Sequence, residues 1–84
     1  MTPKNLEEII KLLQQLIADE TNLPIDRLDV HKSMGSFGLN SINSVYILER
    51  LENELDLELN PLMFYDHPTI HSFSNYLHQL SGNE

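Results

Sequence analysis

The chain has 84 residues, with 13 acidic against 5 basic side chains for a formal net charge of −8, and no cysteine. A chain this short supports one core and buries roughly 60–65% of its unfolded surface, so a single domain over 1–84, ordered from about 3 to 80, is expected. The composition excludes disulfides, thiolate metal sites and cysteine nucleophiles, and the acidity excludes a nucleic-acid footprint, which needs clustered basic residues.

No stretch reaches the length of a membrane span, and the N-terminus, with Lys4, Glu7, Glu8 and Lys11, lacks the apolar run of a signal peptide. A soluble cytoplasmic monomer is the expectation. Thr2-Pro3 reads as an N-cap followed by proline at the first helical position. Leu6, Ile9, Ile10, Leu13, Leu16 and Ile17 then recur at steps of three and four, with Glu7, Glu8, Lys11, Gln14 and Gln15 on the other face. The spacing predicts a first helix over about 3–20.

From Thr21 to Leu39 the periodicity is lost, punctuated by Pro24, Gly35 and Gly38. Connections of this length in small domains are usually functional. Ile25, Leu28, Val30, Met34, Phe37 and Leu39 are spaced along it as pegs that pin it to the bundle, with room for a helical turn near Asp26–Leu28. Phe37 and Leu39 either line a groove or fill the core.

The segment Phe37-Gly38-Leu39-Asn40-Ser41-Ile42-Asn43-Ser44 sets a serine where this loop enters a second helix, predicted over Ser41–Leu55. Asn40 suits the N-cap, since its side-chain oxygen can accept from a free amide one turn in. Ser41 is then the first helical residue, its hydroxyl beside unpaired amides and the positive end of the helix dipole. A phosphodiester is stable in such a place, which makes Ser41 a point of attachment for a phosphate-linked group. Ile47 and Leu51 fit a core face, with Leu55 ending it and Leu48 at its margin. Ile42 and Val45 lie further round, and two readings stand for them: ordinary core, or surface flanking the serine. Glu49, Glu52, Glu54, Asp56 and Glu58 face only Arg50 in charge over 41–60. Alone they read as a solvated face; beside the serine they read as a docking surface for basic patches.

Asn60-Pro61 breaks the chain again, and Leu62 to Asp66 predicts a short third helix stopped before Pro68. Thr69 caps a last helix whose Ile70, Phe73, Leu77 and Leu80 repeat at steps of three, four and three. The sum is all-α: a four-helix bundle with a short third helix and a long loop between the first and second.

Phe37-Gly38-Leu39-Asn40-Ser41-Ile42, followed by Val45 and Leu48-Glu49-Arg50-Leu51-Glu52, resembles the acyl carrier protein family. Phe64-Tyr65-Asp66-His67-Pro68-Thr69-Ile70, with Phe73 and Tyr76-Leu77, is similar to the Pro-Thr-Ile segment and final helix of polyketide-synthase carriers. The resemblance implies 4′-phosphopantetheine on Ser41, with Leu39, Asn40 and Ile42 around the attachment point. Ile42, Val45, Tyr46, Glu49 and Glu52 would meet partner enzymes. The partners it implies are a phosphopantetheinyl transferase and the acyltransferase, ketosynthase or other acyl-modifying enzymes that dock on the second helix. The chain would be no enzyme; acyl groups would ride on the arm as thioesters, in polyketide biosynthesis.

The family's usual aspartate before the serine is Asn40 here, which caps equally well but removes a charge that a transferase could read. Peptidyl carriers show a Gly-Gly pattern that residues 37–42 match poorly, and fatty-acid carriers lack the Pro-Thr-Ile segment, though both stay open as alternatives. Met1 and the short tails lean towards a free-standing protein rather than an excised domain. From another class, an adaptor with the carrier fold and no arm would use the acidic second helix alone. A serine hydrolase would need a base and acid around Ser41 that so small a chain does not supply. His67 and His71, or His71 and His78, have metal-pair spacings but no third ligand. Tyr46 and Tyr65 each read as an aromatic packed with a wet hydroxyl; Tyr46, about one turn beyond the serine, is also a candidate for partner choice.

Overall fold

Each long helix of the protein opens on a reciprocal capping box. In the computed structural model, which describes residues 5–81, these helices are α1 (Leu6–Thr21), α2 (Ser41–Leu55) and α4 (Ile70–Leu80), with a short α3 (Met63–Asp66) before the last. Asn5 accepts the Glu8 amide at 2.8 Å while Glu8 accepts the Asn5 amide at 2.9 Å. Asn40 pairs in the same way with Asn43, and Thr69 with Ser72. Such caps satisfy amides that have no partner inside the helix and stabilise each start by about 1 kcal/mol. The first helix therefore starts at Leu6 behind Asn5, later than the pattern predicts, because Asn5 and Glu8 complete a box; the Thr2-Pro3 cap lies outside the described residues.

The apolar stripes meet in one core. Ile9, Leu13, Leu16 and Ile17 of α1 pack with Ile47, Leu48 and Leu51 of α2 and Ile70, Phe73 and Leu77 of α4, all buried. The main helix contacts are α1 with α4 and α1 with α2. Phe64 of α3 sets its ring 4.9 Å from Phe73 at a tilt of 56°, which joins the short helix to this core. Leu48 lies inside rather than at the margin, because the face that α2 turns to the core is broad enough to bury it beside Ile47 and Leu51. Leu80, predicted as core, is exposed in the last turn of α4, where the core runs out.

The connection from 22 to 40 is ordered in pieces. Ile25–Arg27 forms the expected turn, and a second 3₁₀ turn over Met34–Phe37 has no signal in the hydrophobic pattern. Leu28 and Met34 are buried pegs, and Val30, Phe37 and Leu39 pack half-buried against the core. Ile25 is exposed, since its short turn directs it away from the bundle. The loop is sewn to the junction of α3 and α4 through backbone: Met34 N–H donates to Pro68 at 2.7 Å, His71 N–H donates to Val30 at 2.9 Å, and Ser33 bridges Thr69. Met34, Gly35 and Leu39 of the loop line a groove together with Val45 of α2 and Phe64 and Tyr65 of α3. No described helix is long and apolar enough to cross a membrane.

Candidate functional site

Gly38 ends the second 3₁₀ turn in the left-handed region at φ 89°, which glycine adopts at no steric cost. The chain then runs through half-buried Leu39 into extended Asn40 and the first turn of α2. Asn40 Oδ1 accepts the Asn43 amide at 2.8 Å, and Asn43 Oδ1 accepts the Asn40 amide at 3.3 Å. The Asn40 carbonyl accepts both the Ser44 amide at 3.0 Å and the Ser44 hydroxyl at 2.9 Å. A fifth contact leaves the helix: Asn43 Nδ2 donates to Glu20 Oε1 of α1 at 2.9 Å.

Ser41 is the first residue of α2 and is exposed. Among the described residues its hydroxyl has no hydrogen-bond partner, and the Ser41 and Ile42 amides have no acceptor. A free hydroxyl beside two unclaimed donors at the positive end of a helix suits a phosphate ester. Beside it opens a groove of about 430 Å³ lined by Met34, Leu39, Val45, Pro61, Phe64 and Pro68, with Ser33, Gly35, Asn40, Ser41, Ser44 and Tyr65 completing it. None of these residues carries a carboxylate or a cationic group, so an anion there meets no like charge and a chain lying in the groove meets mostly carbon. Leu39 lines the groove; Phe37 packs against the core instead.

The surface around the serine is apolar. Ile42 is 64% exposed and Val45 41%, so neither is core. Tyr46 of α2 is exposed as well, and α3 adds Tyr65, which lines the groove and is 80% exposed. Glu49 stands free in solvent. Glu52 is half-buried and its Oε2 accepts the Leu59 amide at 2.9 Å, so part of its work is to hold the loop after α2. The histidines are paired by the fold rather than by their spacing: His31 meets His71 at 5.0 Å between ring centroids, and His67 stacks on Tyr76 at 4.2 Å. No group of three metal-ligating side chains is assembled among the described residues. The Asn40 cap was expected from the sequence, whereas the return bond to Asn43 was missed, and Glu20 and Tyr65 come to this face only through the tertiary fold.

The family model described as the phosphopantetheine attachment site matches residues 11–77. The polyketide synthase PksN of Bacillus subtilis (strain 168) is 32% identical over 72 residues, covering 86% of this chain and 1% of that protein. A phenolphthiocerol/phthiocerol polyketide synthase protein of Mycobacterium tuberculosis (strain CDC 1551 / Oshkosh) is 33% identical over 70 residues, 83% of this chain and 4% of its own length. The chain thus spans a small fraction of these relatives. Among solved structures, a free-standing peptidyl carrier protein from an uncharacterized Acinetobacter baumannii secondary metabolic pathway superposes with a TM-score of 0.83 at 29% identity, covering 87% of this chain and 91% of that one. The HMG-ACPI domain from the CurA module of Lyngbya majuscula gives 0.84 at 30% identity, covering 98% and 88%. With four helices in the same arrangement and the family match over most of its length, the chain belongs to the acyl carrier protein family, the phosphopantetheine-binding carriers, and its cofactor is covalent 4′-phosphopantetheine.

Proposed function

We propose that Ser41 is the attachment point of the arm and that the protein carries acyl groups between the enzymes of a polyketide pathway. The observation that carries this reading is the exposed Ser41 hydroxyl at the first position of α2, with two unclaimed amides beside it and an uncharged groove at its side. In the loading step Ser41 Oγ attacks the phosphorus of coenzyme A next to the pantetheine. The new O–P bond forms as the bond to the 3′,5′-ADP portion breaks, and the hydroxyl proton leaves to a base of the transferase. When bound, the arm supplies a thiol that holds an acyl group as a thioester, activated for transfer.

The chain's own residues present and release. Asn40 holds the turn, and Leu39 and Val45 give the arm an apolar bed. Ile42 and Tyr46 offer contact area to partners, and Glu49 adds charge that steers basic surfaces from solution. Tethering raises the local concentration of the acyl group at each docked enzyme. Weak, transient docking follows, since a carrier must leave one partner for the next.

The test is intact-protein mass after incubation with coenzyme A and a broad-specificity phosphopantetheinyl transferase. The parent is expected to gain one pantetheinyl increment and Ser41→Ala none. No increment with any of several transferases would sink the reading and favour an armless adaptor on the same fold, with Asn40 as the residue to revert.

A further inference from the structure

The contact between Asn43 and Glu20 is unlike the other bonds at the start of α2, because it joins two helices. Asn43 bonds through backbone and side chain alike: its side-chain oxygen accepts the Asn40 amide, its backbone N–H donates to Asn40 Oδ1, and its Nδ2 donates to Glu20. Capping alone needs only the first two. Glu20 is oddly placed for α1. It sits in the last turn of a helix with no basic residue there, where the dipole disfavours a carboxylate. The first turn of α2 has no acidic residue, so the carboxylate facing the positive end of α2 comes from α1.

We propose that Asn43 and Glu20 form a latch that holds the Asn40–Ser41 turn in the shape the transferase reads, which makes them positioning residues for the loading of Ser41. This rests on the reading of Ser41 given above. With the latch open, the competent turn is one conformer among several, and apparent affinity falls by the fraction that remains competent. The cost therefore falls on KM, with kcat unchanged once the turn is seated in the transferase.

Three variants separate the latch from simpler roles. Asn43→Asp keeps a side-chain oxygen for the Asn40 amide and adds a charge that suits a helix start, but it has no donor for Glu20 and sets two carboxylates together. Glu20→Ala removes the acceptor. Glu20→Gln keeps an acceptor oxygen and loses the charge. Steady-state loading of the full chain is measured with coenzyme A and the transferase, alongside the melting temperature and the exchange rate of the Asn43 amide by NMR. Asn43→Asp and Glu20→Ala are expected to raise KM roughly 3- to 10-fold with kcat and the melting temperature near the parent's, and Glu20→Ala to speed exchange of the Asn43 amide. Glu20→Gln is expected to stay within about twofold of the parent on KM, since a neutral acceptor still takes the bond. Parent-like KM in all three, or unchanged exchange in Glu20→Ala, would overturn the latch while leaving Ser41 as the attachment point. A Glu20→Gln as impaired as Glu20→Ala would also overturn it, assigning Glu20 to charge contact with the transferase. A parent that is never loaded removes the reading of Ser41 itself, and the positioning role with it.

Discussion

At Gly38 a single backbone angle decides how the loop meets α2. Its φ of 89° lies where a side chain is strained, yet an added Cβ would meet nothing within 4 Å. Gly38→Ala should therefore cost backbone strain without a collision, about 1 kcal/mol, read as a lower urea midpoint with an unchanged slope. A neutral result would mean that the turn relaxes to negative φ and that Ser41 is not held by it. Asn40 shows the same economy: one short amide closes the capping box, and its carbonyl takes two further bonds from Ser44. The Asn40 cap was readable from the sequence, but its return bond to Asn43 was not read, and nothing in the order of residues links Asn43 to Glu20, 23 positions earlier.

Among the helices, α2 and α3 divide the work around the serine. The buried face of α2 is fixed by Ile47, Leu48 and Leu51, which leaves Ile42, Val45 and Tyr46 facing out beyond it. The four-residue α3 buries none of its side chains fully and displays Tyr65 on the rim of the groove. Tyr65→Ala should leave the melting temperature unchanged and raise KM for a docking enzyme about fivefold or more, as removal of an exposed aromatic anchor does. Equal KM with every partner tried would remove Tyr65 from the docking surface. The periodic segments were legible because a stripe at helical spacing must face a core. The second 3₁₀ turn was not, because Met34–Phe37 is held by long-range backbone bonds to Pro68 and Thr69 rather than by its own pattern.

Over the protein as a unit, charge is unbalanced. Thirteen carboxylates face five basic side chains, and the ion pair found among the described residues, Lys11 with Glu7 at 3.5 Å, is solvent-exposed. Exposed pairs of this kind add little, so repulsion among the acids opposes folding and is screened by salt. Raising sodium chloride from low ionic strength to about 0.5 M, where the Debye length shrinks to a few ångströms, should raise the melting temperature. A fall would show that attractive pairs outweigh the repulsion. The groove beside Ser41 is uncharged, so the acidic side chains lie outside its lining.

The order of residues was enough for the all-α class, the span of α2 and α4, the caps Asn40 and Thr69, and the serine at the loop-to-helix step. Each of these is a local property: a period, a cap, a break. It took the packed molecule to turn Ile42 and Val45 to solvent, to set Glu52 on the Leu59 amide, to bring Tyr65 to the serine's face, and to carry Glu20 to Asn43. A helical stripe says which residues share a face, but which face is covered depends on how neighbouring helices pack. That packing is set by the shapes of distant side chains, which no local pattern records.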